Sequence, residues 1–346
     1  MPDTTPTITV VVLNWNGREH LEGCFDAIRA QTCADIIHPL MVDNGSHDDS
    51  VAFVREHYPE VEIVETGENL GFAGGNNVGI RHARTPYVTI LNNDTRMEPP
   101  CVEELLNTLE SDPRCGSAAS KVMLTFADNT IDAAGIEVCP DGLALGRGRM
   151  ESGDRYTEDA EIFFSSDCCT LYRAEMLEDI RVLGEYYDED FFAYADETDL
   201  GWRARLRGWR CLYNPRAVVW HHHSATAGSF SPFKARLVER NRIWVMVKSF
   251  PLWLIVLGTF YTVERYWWQA YAVFTGVGRA GDFEKEYGKL HLVKVLCRAW
   301  WEALRGLPRM LKKRRAIRRR VAIPQGEVRR LLKDYGTPAK AIALKG

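Results

Sequence analysis

Asn92-Asn93-Asp94 follows directly on the apolar run Tyr87–Leu91, whose composition is typical of a buried β-strand. A carboxylate at the tip of such a strand is held at a fixed point. Carboxylate and amide oxygens suit Mg²⁺ or Mn²⁺, which proteins usually bind together with substrate phosphates. Such a cation would neutralise charge on a diphosphate leaving group. This tripeptide is a weak signal alone, but it predicts a metal and phosphate site.

A second acidic group lies in DEDFFAYADETDLGWR, residues 188–203. Its second half predicts a helix with Leu200 and Leu206 facing inward, and Asp196-Glu197 near the N-terminus, where the helix dipole favours anions. Two interpretations remain open. The acids cap the helix, or one of them is a general base that reaches a nucleophile.

Three histidines, residues 221–223, end the apolar run VVW at positions 218–220. One histidine in such a position is more often structural than functional. Three in succession after a buried strand indicate a ligand role.

The elements that must position these residues are four predicted strands at 8–13, 39–42, 61–65 and 87–91, which alternate with predicted helices. This alternation predicts βαβ units and a parallel, three-layer α/β sheet. Ligands of such sheets bind beyond the carboxyl ends of the strands. Asn, Asp and Gly also favour ordinary turns, but four polar clusters at one sheet edge favour a shared pocket. The clusters are Asn14–Gly17, Asp43-Asn44, Asn69–Asn77 and Asn92–Asp94.

The remaining segments differ in character. Residues 112–165 are rich in Gly and Asp and predict hairpins and loops, whereas residues 232–249 predict an amphipathic helix. Two apolar runs follow, 250–263 and 266–278, split by Glu264-Arg265. Neither has the roughly 18–20 apolar residues that span a bilayer.

Charge is distributed unevenly along the 346 residues. The net charge is −4, yet residues 289–320 hold twelve Lys or Arg and one acid, Glu302, so this stretch is +11 and the remainder −15. A basic tail indicates an anionic partner, a membrane surface or a nucleic acid. The nine cysteines include no CxxC pair, and the N-terminus has no signal-peptide pattern. We therefore expect reduced thiols and a cytoplasmic protein.

Six motifs in this order resemble the family 2 glycosyltransferases of the GT-A fold, in particular the rhamnosyltransferase-like branch that builds bacterial cell-surface polysaccharides. They are VVVLNWNG (10–17), VDNGSHDDS (42–50), ENLGFAGGNNVGI (68–80), LNNDT (91–95), DEDFFAYADETDLGWR (188–203) and VVWHHHSA (218–225). The resemblance implies an α/β GT-A domain at 1–230, followed by a helical, membrane-associating region at 231–346.

The resemblance also implies roles for single residues. Asp94 and His221 would ligate Mg²⁺ or Mn²⁺, with His222 as a possible substitute for His221. Asp196 and Glu197 match the acidic catalytic pair, whose second member is the base. The remaining matched positions would bind the nucleotide-sugar: Asn14, Asp43, Asn69, Gly71, Asn76, Asn92 and Asn93.

The sequence departs from the family pattern at three positions. Asn92 occupies the first position of the DxD-type motif, which weakens direct ligation there. Glu197 replaces the usual Asp at the base and has a longer reach. Asp167 stands where the family has a small residue, which would reshape the sugar or acceptor pocket.

The implied activity is inverting, metal-dependent transfer of a sugar to a hydroxyl of a lipid-linked or cell-surface glycan, with dTDP-rhamnose as the favoured donor. Alternatives are a UDP-galactofuranose or UDP-hexose donor, or a non-catalytic protein that binds glycans or nucleotides. A nucleotidyltransferase would need a basic pyrophosphate loop, whereas LNWNGREH, residues 13–20, has one Arg and no Lys. The basic tail has no nucleic-acid-binding signature beside it, so we expect no nucleic acid partner.

The aromatic residues Tyr261, Tyr266, Trp267 and Trp268 favour a bilayer interface. With the basic cluster at 312–320, they predict peripheral binding to the inner face of the cell membrane. The alternative is an ordinary helical subdomain or a subunit interface in a homo-oligomer.

Overall fold

A computed structural model describes residues 7–222, 231–275 and 288–344 of the chain. His223 of the histidine triplet, the N-terminal residues 1–6 and the end of the second apolar run lie outside these ranges. The chain divides into two compact units. The first comprises Met1–Ile136 and Gly146–Ser224, and the second comprises Glu137–Leu145 and Ala225–Gly346.

The strands are β1 Ile8–Asn14, β2 Ile37–Asp43, β3 Glu62–Glu65, β4 Tyr87–Asn92, β5 Thr95–Met97, β6 Cys115–Leu124, β7 Ile131–Ala133, β8 Ile136–Val138, β9 Ala144–Gly146, β10 Ala160–Ile162, β11 Cys169–Arg173 and β12 Arg210–His221. The helices up to residue 222 are α1 Arg18–Arg29, α2 Ser50–His57, α3 Gly71–His82, α4 Cys101–Glu110, α5 Ala174–Ile180 and α6 Asp196–Arg207, with short 3₁₀ turns at Ala34–Ile36 and Glu189–Phe191.

The main sheet has the strand order β10-β12-β6-β11-β4-β1-β2-β3. Strands β4, β1, β2 and β3 are parallel neighbours, and the register pairs Asn14 at the end of β1 with Asp43 at the end of β2. Strand β11 lies antiparallel between β4 and β6. The predicted α/β class and the parallel order of the first four strands are confirmed.

Close packing of α3 on the sheet explains the glycines of its sequence. A Cβ at Gly75 would lie 2.3 Å from Leu13 Cδ1, and one at Gly79 would lie 2.3 Å from Val11 Cγ1. Both distances are far below van der Waals contact, so side chains at these positions would push the helix off β1. The glycines therefore bring the start of α3 close to the strand ends.

The prediction of hairpins and loops throughout 112–165 was wrong for β6. This strand has ten residues, all buried, and lies between β12 and β11. Its sequence, CGSAASKVML, begins with small residues and lacks both alternation and a β-branched run. Because β6 is buried on both faces, small side chains fit beneath the covering helices and polar residues do not alternate with apolar ones. Periodicity in the sequence therefore does not reveal this strand.

The second unit contains helices α7 Pro232–Ser249, α8 Leu252–Thr275, α9 Lys289–Arg318, α10 Gln325–Tyr335 and α11 Ala339–Leu344. The two apolar runs form one helix within the described residues, because Arg265 does not interrupt α8. Its guanidinium is buried, 2.7 Å from Asp141 Oδ2 and 3.1 Å from Glu239 Oε2. Across the described parts of the chain, every helix is too short or too polar to cross a membrane.

Candidate active site

Asn14 connects the carboxyl ends of three parallel strands. It is fully buried, and its Nδ2 donates to Asp43 Oδ1 at 3.3 Å and to Ser46 Oγ at 3.2 Å. Its Oδ1 accepts from Asn93 Nδ2 at 2.8 Å. Since β1, β2 and β4 end at the same sheet edge, these hydrogen bonds fix the amides and the Asp43 carboxylate relative to one another. The structure thus brings Asn14, Asp43 and Asn93 together, as the sequence predicts.

Gly17 leaves the space that this network requires. A Cβ at position 17 would lie 2.1 Å from Asn93 Nδ2 and 2.8 Å from Asn14 Oδ1. The glycine of NWNG, which directly precedes α1, therefore permits the hydrogen bond between the two amides.

Asn44, to which the sequence assigns no role of its own, supports two of the predicted site residues. Its Nδ2 donates to Asn69 Oδ1 at 3.2 Å and to the Gly71 carbonyl at 3.1 Å, and its Oδ1 accepts from Leu70 N at 3.0 Å. Asn69 Oδ1 also accepts from Gly71 N at 2.8 Å. Asn44 therefore fixes the loop that carries Asn69 and Gly71. The one sequence feature that could have indicated this role is its position beside Asp43 in VDNGS.

Gly71 begins α3 with a φ of +73°, a conformation that side chains disfavour. A Cβ there would lie 2.3 Å from the Phe192 carbonyl oxygen, which accepts from Ala73 N at 3.3 Å. Asn77 adds a second link, because its Nδ2 donates to the Tyr187 carbonyl at 2.8 Å and its Oδ1 accepts from Tyr187 N at 2.8 Å. The start of α3 thus holds the loop that leads into the acidic pair.

Asn76 and Asn92, which are also predicted to bind the nucleotide-sugar, differ from each other in burial. Asn76 is fully buried within α3, and its Nδ2 donates to the Phe72 carbonyl at 3.0 Å. Asn92 is half-buried at the end of β4, where its carbonyl accepts from Thr95 Oγ1 at 2.6 Å. Asn92 therefore stays available to a ligand, whereas Asn76 acts through the helix.

Strand pairing brings Asp94 and His221 together. Thr95 in β5 lies opposite His221 in β12, and Asp94 Oδ1 is 3.3 Å from His221 Nε2. Both side chains are almost completely buried. His222 turns elsewhere, with its Nδ1 3.3 Å from Thr125 Oγ1 and its ring beside His20. The geometry therefore favours His221 over His222 as the partner of Asp94.

Asp132 completes this group and is absent from the sequence prediction. Its Oδ2 lies 2.7 Å from His221 Nδ1, and its Oδ1 pairs with Arg149. Burial alone lowers the pKa of His221, but Cys168, Asp132 and Asp94 raise it well above the usual range of an imidazole. The segment NTIDAAG, residues 129–135, carries no motif that would have identified Asp132.

The donor set fits a divalent cation that also binds substrate. Metal-binding histidines usually donate the N–H of their other ring nitrogen to a carboxylate or carbonyl, which fixes the orientation of the ring. In the described residues, no group of three or more His, Cys, Asp or Glu side chains is arranged to hold an ion. Asp94 and His221 alone would leave most positions of Mg²⁺ or Mn²⁺ to phosphate oxygens and water, as is common for these ions.

The acidic pair begins α6. Asp196 is buried, and Glu197 is half-buried and accepts from Thr198 Oγ1 at 3.3 Å. Burial raises the pKa of Glu197. The pKa of Asp196 is raised well above its usual range, mainly by burial and then by the charge of Glu197. The predicted helix with buried Leu200 and Leu206 is confirmed.

The two acids differ from Asp199, which is buried and paired with Arg203 at 2.9 Å. Arg203 also donates to the carbonyls of Ile180 and Tyr186 at 2.8 and 2.6 Å. Asp199 therefore anchors α6, while Glu197 keeps the exposure that a base requires.

Asp167 lies close enough to the acidic pair for the charge of Glu197 to affect it. It is buried and accepts from Tyr172 Oη, and burial together with the charge of Glu197 raises its pKa to about 7. Its neighbour Cys168 lies beside His221. Asp167, where the sequence departs from the family pattern, therefore responds to the charge of Glu197 and directly precedes the cysteine beside His221.

Comparison with known proteins identifies the family. Residues 9–181 match the model of the glycosyl transferase family 2. The N-acetylglucosaminyl-diphospho-decaprenol L-rhamnosyltransferase of Mycobacterium tuberculosis (strain H37Rv) is 24% identical over 253 residues, which cover 65% of this chain and 78% of that protein. The poly-beta-1,6-N-acetyl-D-glucosamine synthase of Staphylococcus aureus (strain COL) is 22% identical over 63% of this chain and 52% of its own length.

A solved structure shows the same fold. The mannosyltransferase PcManGT from Pyrobaculum calidifontis, in complex with GDP-Man and Mn²⁺, aligns with a TM-score of 0.54 over 89% of this chain and 88% of its own, at 16% identity. The predicted resemblance to this family is thereby confirmed. The chain belongs to glycosyl transferase family 2 and is a glycosyltransferase with the GT-A fold.

Proposed function

We propose that this glycosyltransferase transfers rhamnose from dTDP-rhamnose, with inversion, to a hydroxyl of a lipid-linked or cell-surface glycan. The main support is the position of Asp94, which lies two residues beyond β4 and next to the Asn14–Asn93 hydrogen bond. Its neighbour His221 has a fixed orientation, with Nε2 facing Asp94. The M. tuberculosis relative, named as an L-rhamnosyltransferase acting on a diphospho-decaprenol, supports the choice of sugar and acceptor.

The nucleotide-sugar would bind across the ends of β1, β2 and β4. Asp43 is oriented by Asn14 and by Ser46 N, which donates to its Oδ2 at 3.1 Å, so its carboxylate is set to read the nucleobase or ribose. Asn69 and Gly71 would face the phosphate side, where Asn44 holds them. Asn92 and Asn93 would contact the donor near the diphosphate, and Asn76 would support α3 from within.

Glu197 would act as the base. Burial raises the pKa of Glu197 above its ordinary value, which makes its carboxylate a stronger base than that of an exposed glutamate. The acceptor hydroxyl gives its proton to the Glu197 carboxylate and its oxygen bonds to the anomeric carbon. The bond from that carbon to the diphosphate breaks, and the nucleoside diphosphate leaves. Asp196, adjacent and buried, is the alternative base.

Asp94 and His221 would hold Mg²⁺ or Mn²⁺, with Asp132 orienting the imidazole. When bound, such a cation supplies positive charge that neutralises the departing diphosphate. The chain's own contribution is to fix one carboxylate and one imidazole at a buried point of the sheet edge.

We assign the catalytic domain to residues 1–230 and the helical region to 231–346. Because a polyprenyl-linked acceptor is anchored in the cytoplasmic leaflet, we place the enzyme peripherally at the inner face of the membrane. A UDP-galactofuranose or UDP-hexose donor is the second candidate, because the six motifs alone do not distinguish nucleotides.

A comparison of sugar donors tests the proposal. Purified full-length protein is incubated with a synthetic glycosyl-diphospho-polyprenol acceptor, Mn²⁺ and either dTDP-rhamnose, UDP-galactofuranose or a UDP-hexose, and the glycolipid product is quantified. Product from dTDP-rhamnose alone, lost in Glu197→Gln, supports it. Product from a UDP-sugar alone contradicts the choice of donor while preserving the family chemistry.

A further inference from the structure

Helix α8 exposes a continuous row of large apolar side chains. The row members are spaced three or four residues apart: Leu252, Val256, Phe260, Val263, Trp267, Tyr271 and Phe274. Five of them are more than 60% exposed: Leu252 73%, Phe260 69%, Val263 64%, Trp267 61% and Phe274 80%. Since this spacing places residues on one helical face, the 24-residue helix carries an apolar stripe about 36 Å long.

The charges of α8 do not interrupt this stripe. Glu264 is the one exposed charged residue of the helix, and Arg265 is buried on the opposite side. An exposed apolar face of this length is uncommon on a monomeric protein and marks an interaction surface.

Helix α9 combines an apolar row with a basic one. Its exposed large hydrophobic residues are Leu290, Val293, Trp300, Trp301, Leu304 and Leu311. Basic residues directly follow members of this row: Lys294 after Val293, Arg305 after Leu304 and Lys312 after Leu311, all exposed. One position is about 100° of rotation on a helix, so a basic row runs along the edge of the apolar row.

Hydrogen bonds hold the two helices together with α7. Trp300 Nε1 donates to Tyr266 Oη at 2.8 Å, which connects α9 with α8. Tyr266 Oη in turn donates to Glu239 of α7, which also accepts from Arg265. The helices that carry the apolar and basic rows therefore form parts of one packed unit.

We infer that α8 and α9 form a docking surface for an anionic lipid bilayer, with the helices lying in the plane of the interface. Apolar side chains would enter the acyl boundary, and Lys294, Arg305 and Lys312 would contact lipid phosphates. The positive charge of the basic row distinguishes between the two partners that could cover this surface. A second copy would oppose one basic row to another, whereas an anionic surface matches it. The inference uses residues of the second unit and does not depend on the proposed donor.

Vesicle sedimentation tests this surface on the full-length protein. We expect binding to vesicles of phosphatidylcholine with phosphatidylglycerol, weaker binding to phosphatidylcholine alone, and loss of the difference at high salt. The double variant Phe260→Ser/Trp267→Ser should bind anionic vesicles about tenfold or more weakly. Phe126→Ser removes an equally exposed aromatic, 62% exposed in the first unit, and serves as the matched control with unchanged binding.

The basic row has its own variant. Arg305→Gln/Lys312→Gln should reduce the preference for anionic over neutral vesicles by about fivefold for each charge removed. Circular dichroism verifies the helix content of every variant, and nucleotide calorimetry shows whether the catalytic site persists. A failure of nucleotide binding with normal vesicle binding would contradict the proposed function alone.

Two outcomes overturn the inference. One is that wild-type protein does not sediment with anionic vesicles. The other is concentration-dependent dimerisation in light scattering that Phe260→Ser/Trp267→Ser abolishes, with vesicle binding unaffected by the same substitutions. The second result would assign the stripe to a subunit interface.

Discussion

The Nδ1 of His221 lies 2.7 Å from Oδ2 of Asp132, a residue 89 positions earlier in the chain. This contact fixes the orientation of the imidazole, so that its Nε2 faces Asp94 at 3.3 Å. Strand β6 makes the contact possible, because it pairs with β7, which carries Asp132, and with β12, which ends at His221. The histidine is therefore oriented by the sheet itself.

Asp132→Asn should weaken binding of the cation about 10- to 100-fold, because a carboxylate that hydrogen-bonds the far nitrogen of a ligating histidine contributes that much to metal affinity. Isothermal titration with Mn²⁺ in the presence of dTDP measures the change. Asp128→Asn, four residues away in the same segment, serves as a control. Equal Mn²⁺ affinity in wild type and Asp132→Asn would show that Asp132 does not support a metal-binding histidine.

Glu197→Gln should reduce kcat by 10²-fold or more, since a positioned base contributes about 10²- to 10⁴-fold. The affinity for the nucleotide-sugar should change by no more than a few-fold, because Gln keeps the size of the side chain. Rate measurements and donor titration on the same preparation check both parts. If Glu197→Gln stays within a few-fold of wild type while Asp196→Asn is inactive, the base is Asp196.

Asp167 should make the folded state less stable as the pH rises. The pKa of its carboxyl is about 7 in the folded protein, against 3.8 for the ordinary group, so the folded state binds the proton more tightly. This stabilisation is complete below pH 3.8 and is lost towards pH 7, at about 1.4 kcal/mol per pH unit. Asp167→Asn does not titrate, so it should gain stability relative to wild type between pH 4 and 7.

Denaturant unfolding of wild type and Asp167→Asn at several pH values measures this difference directly. The comparison cancels the titration of all other groups that the substitution leaves unchanged. A constant difference in the free energy of unfolding across that range would mean that Asp167 is ionised in the folded protein.

Gly17→Ala should separate the amides of Asn14 and Asn93, because the added Cβ would lie 2.1 Å from Asn93 Nδ2. We expect destabilisation of about 1–3 kcal/mol and weaker nucleotide binding. Gly326→Ala is the matched control, since nothing lies within 4 Å of its Cβ position in α10. That substitution should be neutral or slightly stabilising. Full nucleotide affinity in Gly17→Ala would show that the Asn14–Asn93 hydrogen bond does not shape the site.

The parts of the site that the sequence predicts are those set by local rules. A buried parallel strand must end at a sheet edge, so the polar residues after β1, β2 and β4 could be placed there from the chain order alone. Asp94 and the first of the histidines follow the same logic. Their contact depends on β5, a three-residue strand, and on its register with β12.

Asp132 was not predictable for a physical reason. Its role depends on β6, whose small residues give no periodic signal, and on a pairing between segments far apart in sequence. The continuity of α8 was equally hidden. Glu264-Arg265 looks like a break between two apolar runs until Arg265 is seen to reach Asp141, more than a hundred residues earlier.

Metal-dependent nucleotide binding at Asp94 is best tested by calorimetry. Wild type and Asp94→Ala are titrated with dTDP, UDP and GDP, each with Mn²⁺ and again with chelator. We expect dTDP to bind in the presence of Mn²⁺, and chelator or Asp94→Ala to remove most of this binding. Binding of none of the three nucleotides, or binding of dTDP that neither chelator nor the substitution changes, would contradict this expectation.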